Sequence, residues 1–153
     1  MRKFWILCLL LVVLLTGCSD IDLPFGDADE AVYIPERFFV LQTQQIFLNS
    51  EEYLGRTIRY EGIFRSVFWP PTELYYHYVV RYTDDCCGGA DGIIGFEVYF
   101  GDDNISETAE EDDWVEVTGI LDEYEEDGVN HLRLIVTSIV VLDERGAEFV
   151  SGE

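Results

Sequence analysis

The stretch RTIRYEGIFR, residues 56–65, decides the fold. Its even-numbered positions from Ile58 to Phe64 are apolar or glycine, whereas its odd-numbered positions are mainly polar or charged. A period of two residues is typical of a β-strand that buries one face. The sequence therefore predicts a first strand that begins near Arg56.

Four further segments show the same period. They cover residues 76–82, 94–100, 115–121 and 132–142, which we predict as the second to fifth strands. The run of aromatic residues and prolines from Val67 to Pro71 predicts a loop between the first two strands. Asp127-Gly128 predicts a tight hairpin turn between the last two, since both residues tolerate the positive φ of a type I′ turn.

The order of these elements indicates the architecture. Gly62 and Gly119 fall inside the first and fourth predicted strands, and interior glycines often mark the bends that closure of a barrel needs. A single amphipathic helix over residues 37–48 precedes the first strand. We therefore expect a mainly β protein with a five-stranded OB-fold-like barrel preceded by one helix. An open meander sandwich is the main alternative.

The first 18 residues have the pattern of a bacterial lipoprotein leader. Two basic residues precede an apolar run from Phe4 to Leu15, which is shorter than the roughly 20 residues that span a bilayer. The run ends in Leu-Thr-Gly-Cys, residues 15–18, which resembles the lipobox of the lipoprotein signal peptidase family. We expect a signal peptide over residues 1–17 and a lipid on Cys18, which would tether the mature chain to the outer side of the cytoplasmic membrane.

The mature chain divides into three predicted parts. Residues 18–36 are acidic and show no periodicity, so they are predicted to be a flexible tether. Residues 37–143 form the predicted barrel with its N-terminal helix. Residues 144–153 are predicted to be a frayed C-terminal tail.

The charge of the mature chain is strongly negative. Beyond Cys18 the sequence has seven arginines, no lysine and 31 acidic residues, a formal charge of −24. Such a field excludes a nucleic-acid partner, because affinity for phosphates is built from cations. It also disfavours contact with anionic lipid headgroups. Metal cations, basic peptides and cationic wall components are electrostatically easier partners, although the charge also serves solubility alone.

The adjacent Cys86 and Cys87 form the sharpest chemical feature. Their α-carbons lie ~3.8 Å apart across a trans peptide, below the ~4.4–6.8 Å usual for disulfides, so a bond between them would strain the backbone. Three interpretations stay open: a structural pair, a soft-metal site for zinc or a similar ion, and a redox-active pair. A metal at this pair would recruit carboxylates from the nearby aspartates Asp84, Asp85 and Asp91, or a partner protein.

Two histidines invite a zinc site that also uses the cysteines. His77 and His131 begin the second and fifth predicted strands, whose starts lie at one end of an OB-fold barrel, whereas the cysteines follow the end of the second strand. The predicted topology therefore argues against a four-ligand site of two cysteines and two histidines.

The aromatic residues around the first predicted loop suggest a binding surface. In OB-folds, the loops between strands one and two and between strands four and five flank the usual ligand face. Residues here could stack on sugars or peptides, or they could simply fill the barrel and its rim. The candidate rim residues are Phe68, Trp69, Tyr75, Tyr76, His77, Tyr78 and His131.

Catalytic motifs are absent from the sequence. It contains no glycine-rich phosphate loop, no His-Glu-x-x-His segment and no nucleophile motif. We therefore expect a non-enzymatic protein.

Several segments resemble known bacterial proteins. They are residues 49–58 (NSEEYLGRTI), Tyr60-Glu61-Gly62, the cysteine pair, Gly95-Phe96-Glu97 and residues 113–119 (DWVEVTG). Together they resemble small Cys-Cys lipoproteins of unknown function from Gram-positive bacteria, and the soluble domain of a two-subunit bacterial permease family. The resemblance implies an OB-like, extracytoplasmic, non-enzymatic domain. The permease subunits carry transmembrane helices, so a transport role does not carry over to this chain.

Two functions follow as hypotheses. The first is a lipid-anchored binding or accessory module that uses the aromatic rim toward a peptide, a glycan, or a membrane or cell-wall protein partner. The second is a metal-binding or redox-responsive lipoprotein that uses Cys86 and Cys87.

Overall fold

The computed structural model describes residues 30–83, 92–101 and 109–151. Within these ranges no helix is long and apolar enough to cross a membrane. The predicted leader, Cys18 and the candidate metal ligands at positions 84–87 and 91 lie outside the described residues. The strands are β1 (Val32–Tyr33), β2 (Thr57–Trp69), β3 (Leu74–Thr83), β4 (Gly92–Tyr99), β5 (Trp114–Glu126), β6 (Val129–Val141) and β7 (Phe149–Val150). Between β1 and β2 lie a 3-10 turn (Glu36–Phe38), α1 (Phe39–Leu48) and α2 (Ser50–Tyr53).

Five of the strands close into a barrel. β2 pairs antiparallel with β3, β3 antiparallel with β4, and β4 parallel with β6. β6 pairs antiparallel with β5, which returns to β2. This is the strand order of the OB-fold, so the predicted architecture is confirmed. Because β2 is paired on both sides, an open meander sandwich is wrong.

The even-numbered face of β2 lines the core, as the sequence predicts. Ile58, Tyr60 and Phe64 are at most 2% exposed. The Tyr60 hydroxyl donates to the carbonyl of Val79 at 2.7 Å and accepts from the N–H of Phe96 at 3.2 Å, so the phenol joins β2 to β3 and β4. Phe39 at the start of α1 packs on Tyr60 with ring centroids 5.5 Å apart, which seats the helix on the core.

The two interior glycines lie where strands approach closely. A Cβ atom on Gly62 would lie 2.8 Å from the carbonyl oxygen of Val80, and one on Gly119 would lie 2.8 Å from that of Ile135. The pairing of β5 with β6 also shifts register between Thr118 and Gly119. Both positions therefore exclude a side chain, as their place in the predicted strands suggests.

The first hairpin is longer than the sequence predicts. Residues 67–69, predicted as loop, continue β2, with Phe68 opposite Tyr75 and Trp69 opposite Leu74. The prolines at positions 70 and 71 lie in the turn that follows, where the N–H that proline lacks is not needed for the ladder. At the other hairpin Asp127 and Gly128 have φ of 52° and 80°, which confirms the predicted tight turn.

Both ends of the described chain are bound to the barrel. Val32–Tyr33 pairs parallel with β2, inside the segment predicted as tether. Phe149–Val150 pairs parallel with β3, inside the segment predicted as a frayed tail. Ile34 and Val150 are buried, and their apolar side chains explain why these short strands attach. Residues 32–34 and 149–150 are therefore attached to the barrel, unlike the flexible tether and the frayed tail predicted from the sequence.

A buried arginine joins these ends to the barrel. Arg81 on β3 is 1% exposed, and its Nε donates to the carbonyl of Glu61 at 2.8 Å. A terminal nitrogen of the same guanidinium donates to the Glu36 carboxylate and to the carbonyl of Ala147, each at 3.2 Å. The guanidinium carbon also lies 4.8 Å from the ring centroids of Phe39 and Trp114. Arg81 thus contacts the N-terminal segment, β2, β5 and the C-terminal segment together.

Candidate functional site

A groove on the outer face of the barrel lies between its two hairpin turns. Its cavity is about 320 Å³ and opens between the β2–β3 turn and the β5–β6 turn. These correspond to the loops that flank the usual ligand face of OB-folds. The lining residues are Val67, Trp69, Tyr76, Tyr78, Glu97, Tyr124, Glu126, Asp127, Val129 and His131.

Strand alternation brings the aromatic side chains to this groove. Val67 lies directly opposite Tyr76, so the two side chains share one face of the hairpin. Trp69 and Tyr78 lie two residues further along their own strands and join the same face. Trp69 is 51% exposed, whereas Tyr76 and Tyr78 are partly buried. The result is an aromatic wall at the edge of an open cavity.

Two carboxylates in the groove are hydrogen-bonded by tyrosines. The hydroxyl of Tyr124 donates to Oε2 of Glu97 at 2.6 Å, and that of Tyr76 donates to Oε1 of Glu126 at 2.7 Å. Burial raises the pKa of Glu97, although the bond from Tyr124 opposes this. Burial, together with the bond to Glu97, raises the pKa of Tyr124, so its phenol stays protonated and able to donate.

An imidazole and a guanidinium pack around Tyr124. The His131 ring stacks on Tyr124 with centroids 5.4 Å apart, as expected from their opposite positions on β6 and β5. The guanidinium of Arg133 lies 4.7 Å from the Tyr124 ring and 4.4 Å from that of Tyr99. It is also paired with Asp122 at 2.9 Å. This edge of the groove is therefore held by contacts within the chain.

The structure divides the seven predicted rim residues between two faces. Trp69, Tyr76, Tyr78 and His131 line the groove. The other three lie on the opposite face, where Phe68 and Tyr75 pack on each other at 5.2 Å and His77 packs between Phe64 and Phe100. Burial lowers the pKa of His77. The cause is the period of two, since neighbouring residues on one strand point to opposite faces.

Sequence reasoning missed the acidic half of the groove. Glu97, Tyr124 and Glu126 were not among the predicted site residues, although they line the cavity with the aromatic residues. The Asp127-Gly128 turn, which the sequence predicts, indicates the positions of Tyr124 and Glu126. It fixes the register of β5 on β6 and so places Tyr124 opposite His131.

A serine–histidine contact lies on the opposite face. Ser66 Oγ is 2.9 Å from Nδ1 of His77, and the two residues are direct partners across β2 and β3. In a nucleophilic triad a third group orients the base through its other nitrogen. Among the described residues His77 has no such partner, so the contact fits ordinary pairing between strands.

The described residues do not assemble a metal site. Over 30–83, 92–101 and 109–151, no group of three or more histidine, cysteine, aspartate or glutamate side chains is placed to hold an ion. The candidate ligands Cys86 and Cys87, with Asp84, Asp85 and Asp91, lie outside these ranges, and their role stays a prediction. They follow Thr83 at the end of β3, whereas His77 lies in its first half.

Comparison with known proteins identifies the family. No curated protein matches this chain. The sequence profile of the DUF1980 C-terminal domain, an uncharacterised family, matches residues 25–147, which include β1, the five barrel strands β2 to β6 and all the residues that line the groove. Because the match covers most of the sequence, the chain belongs to the DUF1980 C-terminal domain family.

Proposed function

We propose that this protein is a non-catalytic binding or accessory module, anchored by lipid outside the cytoplasm, and that the groove is its ligand site. The observation that carries the proposal is the position of Trp69, Tyr76 and Tyr78 between the two turns that flank ligands in OB-folds. Aromatic rings with a few polar groups in a concave surface are typical of binding sites.

The lipid anchor of the proposal rests on the leader. A basic start, a short apolar run and the Leu-Thr-Gly-Cys motif at residues 15–18 agree in order and spacing. Two acyl chains on an N-terminal cysteine give stable attachment, whereas one chain binds a membrane only marginally. The resemblance to Cys-Cys lipoproteins and to the soluble domain of a two-subunit permease family supports a membrane or cell-wall protein as the partner.

The anchor is tested by replacing its cysteine. Cys18→Ala is expected to abolish incorporation of labelled palmitate and to leave the precursor uncleaved by the lipoprotein peptidase, because the thiol that takes the lipid is gone. Fractionation of cells expressing each form gives the location. Palmitate labelling that persists in Cys18→Ala would show that the anchor is elsewhere.

The groove is tested with neighbouring tyrosines as a matched pair. Tyr76 lines the groove, whereas Tyr75 on the same strand lies on the other face and is 65% exposed. The full chain, purified in detergent, would be offered chitotetraose, a neutral pentaglycine peptide and the basic peptide Gly-Arg-Gly-Arg-Gly. Saturation-transfer NMR would measure contact with each probe.

The expected result is contact with at least one probe that is lost in Tyr76→Ala and kept in Tyr75→Ala. Circular dichroism would verify that both variants keep the fold. If no probe gives a signal that depends on Tyr76, the groove is not the ligand site.

A further inference from the structure

The groove extends past Glu97 into a second cavity. This cavity is about 450 Å³ and shares Tyr78, Glu97 and His131 with the first. It reaches Phe47 at the end of α1 and Ser50 at the start of α2. A ligand seated on Glu97 would therefore find space on both sides, which suits an extended chain better than a single small ion.

The lining of both cavities is acidic and without a cation. The acidic members are Glu97, Glu123, Glu126 and Asp127, and neither lining includes an arginine. All seven arginines of the mature chain lie within the described ranges, and five form ion pairs with carboxylates outside the groove. Within the described part of the chain neither Glu97 nor Glu126 forms an ion pair, although the more distant charge of Arg133 acts to lower the pKa of Glu97.

Each of these two carboxylates keeps one oxygen available. Tyrosine hydroxyls bind Oε2 of Glu97 and Oε1 of Glu126, and no described donor reaches the second oxygen of either group. A carboxylate has lone pairs for about four hydrogen bonds. Burial disfavours the charge on Glu97, and a cation from outside would compensate for that cost.

The aromatic wall favours a planar cation. A guanidinium stacks on aromatic rings and pairs with carboxylates through parallel N–H groups, which a lysine ammonium cannot do. The chain already uses this arrangement at the edge of the groove, where Arg133 lies over Tyr99 and Tyr124 and pairs with Asp122. Trp69, Tyr76 and Tyr78 line the first cavity together with Glu97 and Glu126.

We propose that the groove binds an arginine-bearing peptide segment of a protein partner, with the guanidinium between the aromatic wall and the carboxylates of Glu97 and Glu126. This inference rests on the proposed function and names the ligand class of that site. The strongly negative mature chain would also speed the approach of a basic segment.

The experiment compares two peptides that differ only in charge. Fluorescent Gly-Arg-Gly-Arg-Gly and the same peptide with citrulline in place of arginine would be titrated with the full chain in detergent, with anisotropy as the readout. Citrulline keeps the shape of arginine and loses its charge. We expect the arginine peptide to bind at least tenfold more tightly, since charge-assisted bonds are the stronger ones.

The variants separate a specific site from the general negative field. Glu97→Gln and Glu126→Gln should each weaken binding by about tenfold, the size of one lost charge-assisted bond. Glu125→Gln is the matched control, because it removes the same charge from β5 at a residue that lines neither cavity. Its affinity should stay within twofold of the unchanged chain.

Three results would overturn the inference. In the first, the citrulline peptide binds as tightly as the arginine peptide. In the second, Glu125→Gln and Glu97→Gln lose equal affinity for the arginine peptide. In the third, chitotetraose gives a Tyr76-dependent signal and the arginine peptide gives none. The last result would leave the proposed binding function standing and make the ligand a glycan. A Tyr76-dependent signal from pentaglycine alone would likewise overturn this inference and leave the binding function standing, whereas both proposals fail if none of the three probes contacts the groove.

Discussion

Arg81 offers the sharpest test of what holds the N- and C-terminal segments of the chain to the barrel. Substituting methionine keeps an apolar stem of similar length and removes the guanidinium. The carbonyls of Glu61 and Ala147 then lose their donor, and Glu36 loses its cation. The rings of Phe39 and Trp114 also lose the charge that lies 4.8 Å from each.

The expected loss is about 3 kcal/mol of unfolding free energy. Each partly buried carbonyl left without a donor costs about 1 kcal/mol, at the low end of the usual range, and the two ring contacts add a similar amount together. The pair with Glu36 adds little because that side chain is 52% exposed. Burial of the guanidinium is unfavourable and lowers the pKa of Arg81. Because the methionine variant no longer buries a charge, this saving offsets part of the loss.

Urea unfolding, followed by tryptophan fluorescence and circular dichroism, measures this loss, and thermal unfolding followed by circular dichroism gives the melting temperature. Arg59→Met is the matched control, because Arg59 forms an ion pair with Glu116 at 2.7 Å while remaining 49% exposed. We expect Arg81→Met to lower the melting temperature by roughly 10 °C and Arg59→Met to change it far less. If the two variants lose equal stability, the contacts of the buried guanidinium do not hold the chain ends.

Three other perturbations test separate parts of the molecule. Gly62→Val and Gly119→Val should each cost about 1–3 kcal/mol, because a Cβ would lie 2.8 Å from a backbone oxygen, and unchanged thermal midpoints in both would contradict this. The pKa of Glu36 is lowered first by the hydrogen bond from the N–H of Ala147 and then by the hydrogen bond and charge of Arg81. The Glu36 carboxylate therefore stabilises the fold at pH values above its ordinary pKa of 4.5. This contribution is lost as the pH falls through the lowered pKa, so Glu36→Gln should approach the unchanged chain in acid, and a difference constant with pH would refute it. If Cys86 and Cys87 form a thiolate site, Cd²⁺ should give sulfur-to-metal absorption that disappears on Cys→Ser substitution and weakens in acid, whereas two unreactive thiols without that absorption would indicate packing.

The candidate site shows how far a pattern of residue types can lead. The cluster of aromatic residues between 68 and 78, with the OB-like strand order, predicts a ligand face, and the structure has a groove lined by Trp69, Tyr76 and Tyr78 at that place. The sequence does not separate Trp69 and Tyr76 from Phe68 and Tyr75, because the predicted strands end before residue 67 and begin only at residue 76, and the alternation that assigns a residue to a face holds only inside a strand. The long hairpin restored that alternation.

The sequence by itself determined the five barrel strands, the helix before them, the turn at Asp127-Gly128 and the two glycines that admit no side chain. These features are encoded locally, in a period of two residues and in turn chemistry. Only the tertiary structure decided that Arg81 is buried among Glu36, Glu61 and Ala147, and that Glu97 and Tyr124 meet at 2.6 Å. Those partners lie 20 to 66 residues apart along the chain, so closure of the barrel, and no local pattern, brings them together.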